Sequence, residues 1–303
     1  MGFGRRRALM LVGTLVGAGM IGLGSAPVEA APAAPDIATA PTQAVHTALG
    51  DVGYREVGHG PSLLMITGFS ATMDDWAPYF VDALASHFRV IVFDNAGIGE
   101  TAGLAAPLSV PEMADQTSAL ISTLRLGQCD VLGWSMGGLI AQSLAITHPR
   151  QVRRLVLAAT QAGTGNAIPV PSAAQAALDS GSAEATLSLL FPSGQFAATK
   201  RYITGILAYP GRYTASAAVR ADQQTAITQW FSGDDASGRR PGEIEEPTLV
   251  ADGTEDALNP VSNDRMLSRL IHGAHLLLYP DAGHGFLFQD AGKFDSELRS
   301  FLG

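Results

Sequence analysis

At residues 130–138 the sequence reads Asp-Val-Leu-Gly-Trp-Ser-Met-Gly-Gly. The apolar residues before the serine predict a buried strand, and those after it predict a helix. Because glycine has no side chain, Gly133 and Gly137 permit a sharp strand-to-helix turn that lifts the Ser135 hydroxyl above the sheet. The positive end of the following helix would face negative charge that develops there. The stretch predicts a serine nucleophile, and a serine that only caps the helix is the alternative.

The rest of the chain alternates short apolar runs with helical stretches, which is typical of a mainly parallel sheet covered by helices. A hairpin is expected over residues 42–56. Further strands are expected at 62–66, 89–93, 130–133, 155–159, 247–251 and 275–279. Helices are expected at 75–87, 110–126, 137–147, 261–271 and 293–302. The predicted fold class is therefore α/β.

Residues 160–246 break this alternation. They contain helical stretches at 173–178, 183–190, 196–209 and 214–230, and no clear strand. A segment of this length is too long for a simple loop. We therefore expect a helical lid inserted after the sixth strand, between core segments 42–159 and 247–303.

Residues 1–30 predict a targeting segment. Arg5-Arg6-Arg7 precede the apolar, glycine-rich run 8–24, and small residues before Ala31 suit a cleavage site. The arginines partly resemble a twin-arginine signal, so we expect export to the periplasm, the cell envelope or the medium. An uncleaved membrane anchor is the alternative. The Ala- and Pro-rich residues 31–41 are expected to be a linker.

The composition narrows the choice of ligands. The chain has 303 residues, a net charge of −9 and a single cysteine, Cys129. An acidic protein presents no basic field to nucleic acid phosphates. One cysteine forms no intrachain disulfide, and the scattered histidines indicate no metal cluster. We expect no cofactor, no metal and no obligate protein partner, and a small ester-like molecule as substrate.

A serine hydroxyl is a weak nucleophile unless a base removes its proton. His284 lies in the glycine-framed loop 281–286, directly after the last predicted strand. That position is the carboxyl edge of the sheet, where ligands gather in open α/β folds. His284 is therefore the predicted base, and a core or surface histidine is the alternative.

The acid that orients the histidine is expected in the loop after the strand at 247–251. Asp256 lies far enough along this loop to reach across; Asp252 is too close to the strand end, and Glu255 is kept in reserve. An oxyanion hole needs preorganised backbone donors near the attacked carbonyl. We expect these donors to be the amides of Phe69 and Met136.

Several of these motifs resemble those of the α/β-hydrolase family. They occur in the family's order between residues 42 and 303, at 65–69, 93–99, 133–138, 253–260 and 283–285. The resemblance implies the α/β-hydrolase fold and a Ser…Asp…His triad of Ser135, Asp256 and His284. Two positions depart from the pattern: Thr67 replaces a histidine, and Ala96 replaces an arginine. Both bear on how the loop that contains Phe69, here called the oxyanion loop, is held in place. Neither removes a group from the triad.

Serine at the turn disfavours the dehalogenases and epoxide hydrolases of this fold, which place a carboxylate there. We expect an exported serine esterase that forms an acyl-enzyme. The alternatives are a lactonase, a C–C bond hydrolase, a cofactor-free haloperoxidase-like enzyme and a non-catalytic binding protein. Trp134 and Trp76 adjoin catalytic loops and are expected to contact substrate. The site is expected to be apolar and modest in volume. The sequence places no particular arginine beside Ser135, so charged acyl groups are expected to be poor substrates.

Overall fold

The computed structural model describes residues 36–163 and 167–303. The targeting segment expected at residues 1–30 and the first part of the expected linker lie outside these residues. The described part of that linker packs against the core: Ile37 is fully buried, and its amide donates to Asp82 Oδ1 at 2.9 Å. Within the described residues, no helix is long and apolar enough to cross a membrane.

Eight strands form one sheet in the order β1-β2-β4-β3-β5-β6-β7-β8. Their bounds are β1 Gln43–Thr47, β2 Gly50–Val57, β3 Ser62–Ile66, β4 Arg89–Phe93, β5 Cys129–Trp134, β6 Val152–Ala158, β7 Thr248–Gly253 and β8 His275–Tyr279. The hairpin β1–β2 pairs antiparallel and joins β4 antiparallel, whereas the other neighbours pair parallel. The predicted mainly parallel sheet is confirmed.

Helices cover both faces of the sheet. Their bounds are α1 Pro78–Ala85, α2 Val110–Thr123, α3 Met136–Thr147, α4 Ser172–Asp179, α5 Ala183–Leu190, α6 Phe196–Ile206, α7 Ala217–Ser232, α8 Ser262–Leu270, α9 Phe286–Gln289 and α10 Ala291–Leu302. One buried apolar cluster holds residues of α1, α9 and α10, and a second holds residues of α2, α3 and α8. The sheet is therefore buried on both faces, as its continuous apolar strands require.

Two predicted helices begin later than expected. The prediction of a helix from residue 75 is wrong, because α1 begins at Pro78 and residues Met73–Asp75 form a separate 3-10 turn. Proline fits the first helical position and disfavours helix in the residue before it. The prediction of a helix from residue 214 is also wrong: Ser216 caps α7, since its hydroxyl accepts from the Val219 amide at 3.2 Å.

Residues 160–246, here called the inserted segment, lie between β6 and β7 and contain α4 to α7. Their described part contains no strand. Side chains bond this segment to the core loop after β3: Tyr209 donates to the Trp76 carbonyl at 2.7 Å, and Arg212 donates to Asp75 Oδ1 at 2.9 Å. These bonds place the inserted segment beside the carboxyl ends of the strands.

Candidate active site

Ser135 occupies the sharp turn between β5 and α3. Its φ of 58° and ψ of −122° belong to a backbone region that side chains disfavour. The glycines make the turn possible: a Cβ on Gly133 would lie 2.3 Å from the Gly137 carbonyl oxygen, and one on Gly137 would lie 2.1 Å from that of Ile66. The Ser135 side chain makes no capping bond to α3. A serine that only capped the helix would make such a bond, so the structure does not support this alternative.

His284 and Asp256 lie in contact beside this turn. His284 Nδ1 is 2.6 Å from Asp256 Oδ2, and their side chains are 6% and 0% exposed. A carboxylate only accepts hydrogen bonds, so Nδ1 carries the proton and Nε2 is left as the basic nitrogen. The other carboxylate oxygen, Asp256 Oδ1, accepts from the amides of Leu258 at 2.6 Å and Asn259 at 2.9 Å. The structure thus brings together the predicted base and acid.

The other two candidate acids lie elsewhere. Glu255 is exposed to solvent. Asp252 and Asp264 are fully buried and lie next to each other, since both accept from the side-chain amide of Asn259. Burial raises the pKa of the Asp264 carboxyl to about 8 and that of Asp252 well above its usual range. Burial therefore favours a protonated carboxyl in this pair, which reduces the negative charge near Asp256.

Asn259 connects that buried pair to the acid beside the histidine. Its side-chain amide donates to Asp252 Oδ2 and Asp264 Oδ2, each at 3.0 Å, while its backbone amide donates to Asp256 Oδ1. Sequence reasoning missed this role, although Asn259 lies within the loop 253–260. This network of hydrogen bonds holds the Asp256 carboxylate in place.

Two cavities reach Ser135 and His284. Cavity A has a volume of about 730 Å³ and cavity B of about 570 Å³. Both are also lined by Phe69, Leu178 and Leu258. These volumes lie within the usual range for small-molecule sites, about 300–1,000 Å³. A molecule whose reacting carbon lies at Ser135 could therefore extend in two directions.

The loop after β3 lies against the serine, as the predicted oxyanion hole requires. A Cβ on Gly68 would lie 3.1 Å from Ser135 Cβ. The backbone amides of Phe69 and Met136 have no hydrogen-bond acceptor among the described residues. Both donors are consequently available to a ligand at Ser135, which is the requirement for stabilising an oxyanion.

This loop is held from two sides. Asn95 Nδ2 donates to the carbonyl oxygen and the hydroxyl of Thr67, both at 3.1 Å. The Thr67 hydroxyl thus has its own core contact at the position where the family's pattern has histidine. From the inserted segment, Gln223 Oε1 accepts from the Ser70 amide at 2.7 Å. Gln223 is fully buried and Ser70 has a φ of 61°, so this bond stabilises a strained part of the loop.

Gln223→Leu is expected to lower kcat by about tenfold or more, because it removes the acceptor of the half-buried Ser70 amide and loosens the Phe69 donor. Gln223→Glu keeps an acceptor oxygen and should retain more activity. Steady-state kinetics with a neutral ester would separate kcat from KM. Thr225→Val, at an exposed position of α7, is the control. A rise in KM with unchanged kcat for Gln223→Leu would contradict this positioning role.

The two tryptophans differ in their relation to the cavities. Trp134 lines cavity B, and its Nε1 donates to the His284 carbonyl at 3.0 Å. Trp76 is fully buried, and neither cavity has it in its wall. Its ring packs 5.8 Å from that of Trp134. Trp76 therefore lies behind Trp134 and outside both cavity walls, a position that does not favour its expected substrate contact.

Two arginines, Arg212 and Arg220, line cavity B. The sequence alone did not place these arginines near Ser135, because both come from the inserted segment, far from Ser135 in the chain.

Within residues 36–163 and 167–303, no group of three His, Cys, Asp or Glu side chains could hold a metal ion.

Comparison with known proteins identifies the class. The pattern of the α/β hydrolase fold family matches residues 61–291, and the chain belongs to this family. It is a hydrolase of this fold, and the fold implied by the sequence motifs is confirmed.

Three relatives illustrate the range of the family. The chain is 32% identical over 272 residues to a poly(3-hydroxyalkanoate) depolymerase of Ectopseudomonas oleovorans, covering 80% of this chain and 85% of that one. An α/β hydrolase fold protein from Chitinophaga pinensis superposes with a TM-score of 0.79 at 29% identity, covering 88% and 98%. An N-acyl homoserine lactone degrading enzyme superposes with a TM-score of 0.69 at 26% identity, covering 86% and 100%.

Proposed function

We propose that this protein hydrolyses carboxylic esters through Ser135, His284 and Asp256. The observation that carries the proposal is the 2.6 Å contact between His284 Nδ1 and Asp256 Oδ2 at the cavities that Ser135 lines. A base oriented by a buried carboxylate, beside a half-buried serine that lines the same cavities, is the arrangement that activates a hydroxyl for acyl transfer.

The reaction has two halves. Ser135 Oγ attacks the ester carbonyl carbon while His284 Nε2 takes its proton, and the carbonyl electron pair moves to the oxygen held by the Phe69 and Met136 amides. Collapse of this intermediate breaks the bond to the alcohol oxygen, which receives the proton from His284. Water, deprotonated by the same nitrogen, then attacks the carbonyl carbon of the acyl-enzyme. Collapse breaks the bond from this carbon to Ser135 Oγ, which takes the proton back from His284, and the carboxylic acid is released.

Two cavities meeting at one serine support an ester with substantial groups on both sides of the reacting bond. The walls of both cavities consist largely of apolar side chains; examples are Leu139, Ile227, Phe231, Leu190 and Ile206. Relatives act on a polyester and on a lactone, according to their names, and both substrates contain an ester bond. We therefore propose medium-sized, mainly apolar esters as the substrate class.

A homologous series of nitrophenyl esters tests this proposal. Each added methylene is expected to raise kcat/KM by up to about fourfold, the equivalent of about 0.8 kcal/mol, until the chain meets the cavity wall. Lactones and a dicarbonyl C–C substrate should be assayed in parallel. Highest efficiency on long-chain emulsions would contradict the bounded cavity. Efficient C–C cleavage with negligible ester hydrolysis would contradict the reaction class.

We also propose that the protein is exported, with the leader removed before Ala31. The support is the sequence of residues 1–31 alone. Mass spectrometry of the mature protein should find Ala31 at or near the N-terminus. Replacing Arg6 and Arg7 with lysine should block a twin-arginine route and spare a general secretory one. A membrane-retained protein that begins at Met1 would contradict cleavage.

A further inference from the structure

We propose that Arg220 forms a carboxylate-binding site in cavity B, and that the preferred substrates are esters that carry a free carboxylate. This inference rests on the proposed ester hydrolysis. It adds a charged recognition group to a site whose walls are otherwise largely apolar.

Arg220 is placed at the oxyanion loop. It lies on α7 of the inserted segment, is half-buried, and lines cavity B together with Ser135 and His284. Its guanidinium carbon lies 5.5 Å from the centre of the Phe69 ring, and its Nη1 donates to Ser70 Oγ at 3.1 Å. An anionic group bound there would be next to the loop that holds the reacting carbonyl.

The contacts of Arg220 leave its charge without an acidic partner among the described residues. Within the described part of the chain it has no carboxylate at ion-pair distance, and its bonds go to the neutral oxygens of Ser70 and Leu178. Arg212, in the same cavity wall, differs because Asp75 Oδ1 lies 2.9 Å from its Nη2. A guanidinium has five N–H donors, so Arg220 retains donors for a ligand.

A carboxylate is the ligand that fits this environment. A cation in a mainly apolar cavity is costly to hold without a counter-ion, and a carboxylate compensates it through short, charge-assisted hydrogen bonds. The acid product forms at Ser135, so the carboxylate at Arg220 must be a second one, several atoms from the ester bond. Such esters are of two kinds: half-esters of dicarboxylic acids and O-acylated hydroxy acids.

Paired substrates test the site. On the acyl side, the 4-nitrophenyl half-ester of glutaric acid is compared with its primary amide. On the alcohol side, 3-butyryloxybutanoate is compared with its amide. Wild-type protein should prefer the carboxylate member of at least one pair, and the pair that responds identifies the part of the ester that occupies cavity B. Equal efficiency within both pairs would overturn the inference.

Arg220→Gln should lower the ratio of kcat/KM for carboxylate over amide by about 10- to 100-fold, mostly through KM. Arg220→Lys keeps the charge without the planar fork and should retain part of the preference. Arg239→Gln is the matched control, because this arginine is exposed and lines neither cavity. An equal fractional loss on both members of each pair would mean that Arg220 only clamps the loop, and would overturn the site.

The amide members separate the two proposals. Their hydrolysis by wild-type protein depends on the serine chemistry and not on a carboxylate. If wild-type protein hydrolyses them without preferring the carboxylate members, ester hydrolysis stands and the Arg220 site is wrong. If it hydrolyses no member of either pair, the ester proposal fails together with the inference.

Discussion

Ser135→Ala is expected to lower kcat for ester hydrolysis by at least about 10⁴-fold. The substitution removes the only atom that attacks the carbonyl, while the Phe69 and Met136 amides and both cavities remain. Because the serine hydroxyl makes no capping bond to α3, its loss should cost little stability. The fold and the thermal midpoint should therefore be nearly unchanged while turnover is lost.

A fluorescent phosphonate probe provides a second readout, since it forms a covalent bond with an activated serine oxygen. Labelling of the wild type should be stoichiometric, and Ser135→Ala should show none. Ser188→Ala, at an exposed position of α5, is the control for general effects of losing a hydroxyl. Labelling of Ser135→Ala at the wild-type rate would assign the nucleophile to another residue and contradict the mechanism.

The strands that the sequence predicts best are those whose apolar run coincides with the paired segment. Residues 62–66, 89–93 and 275–279 have the predicted bounds, because every residue after the first in each strand is apolar. β6 begins three residues earlier than its apolar run, at Val152, and includes two arginines. Arg153 is tolerated there because it donates to Asp130 Oδ1 at 2.9 Å, a tertiary contact that no local pattern reveals.

The same distinction holds at the site. Ser135 and His284 could be found because glycines frame each of them within a few residues of the chain. Gln223 and Arg220 contact Ser70 across separations of 153 and 150 residues. Their positions depend on how α7 packs against the core, and their local sequence is that of an ordinary polar helix. Sequence reasoning therefore proposes the candidate reacting groups and misses the residues that contact the loop beside them.

Asp256→Asn is expected to lower kcat by about 10⁴-fold at neutral pH. Asp256 Oδ1 accepts two backbone amides, from Leu258 and Asn259. An asparagine would keep its oxygen at that position, because the oxygen is its only acceptor, and would turn its NH₂ group toward His284. The imidazole would then accept at Nδ1 and carry its proton on Nε2, where it is unable to deprotonate Ser135.

Glu255→Gln is the matched control for Asp256→Asn, because it removes a carboxylate one residue away and leaves the Asp256–His284 contact intact. Glu255 is exposed, so this variant should keep its wild-type kcat. Both proteins should be assayed with the same nitrophenyl ester, with circular dichroism to check that each is folded. The reverse ranking, with a large loss in Glu255→Gln and little in Asp256→Asn, would show that Asp256 does not orient the base. A large loss in Asp256→Asn alone is the result that the 2.6 Å contact with His284 requires.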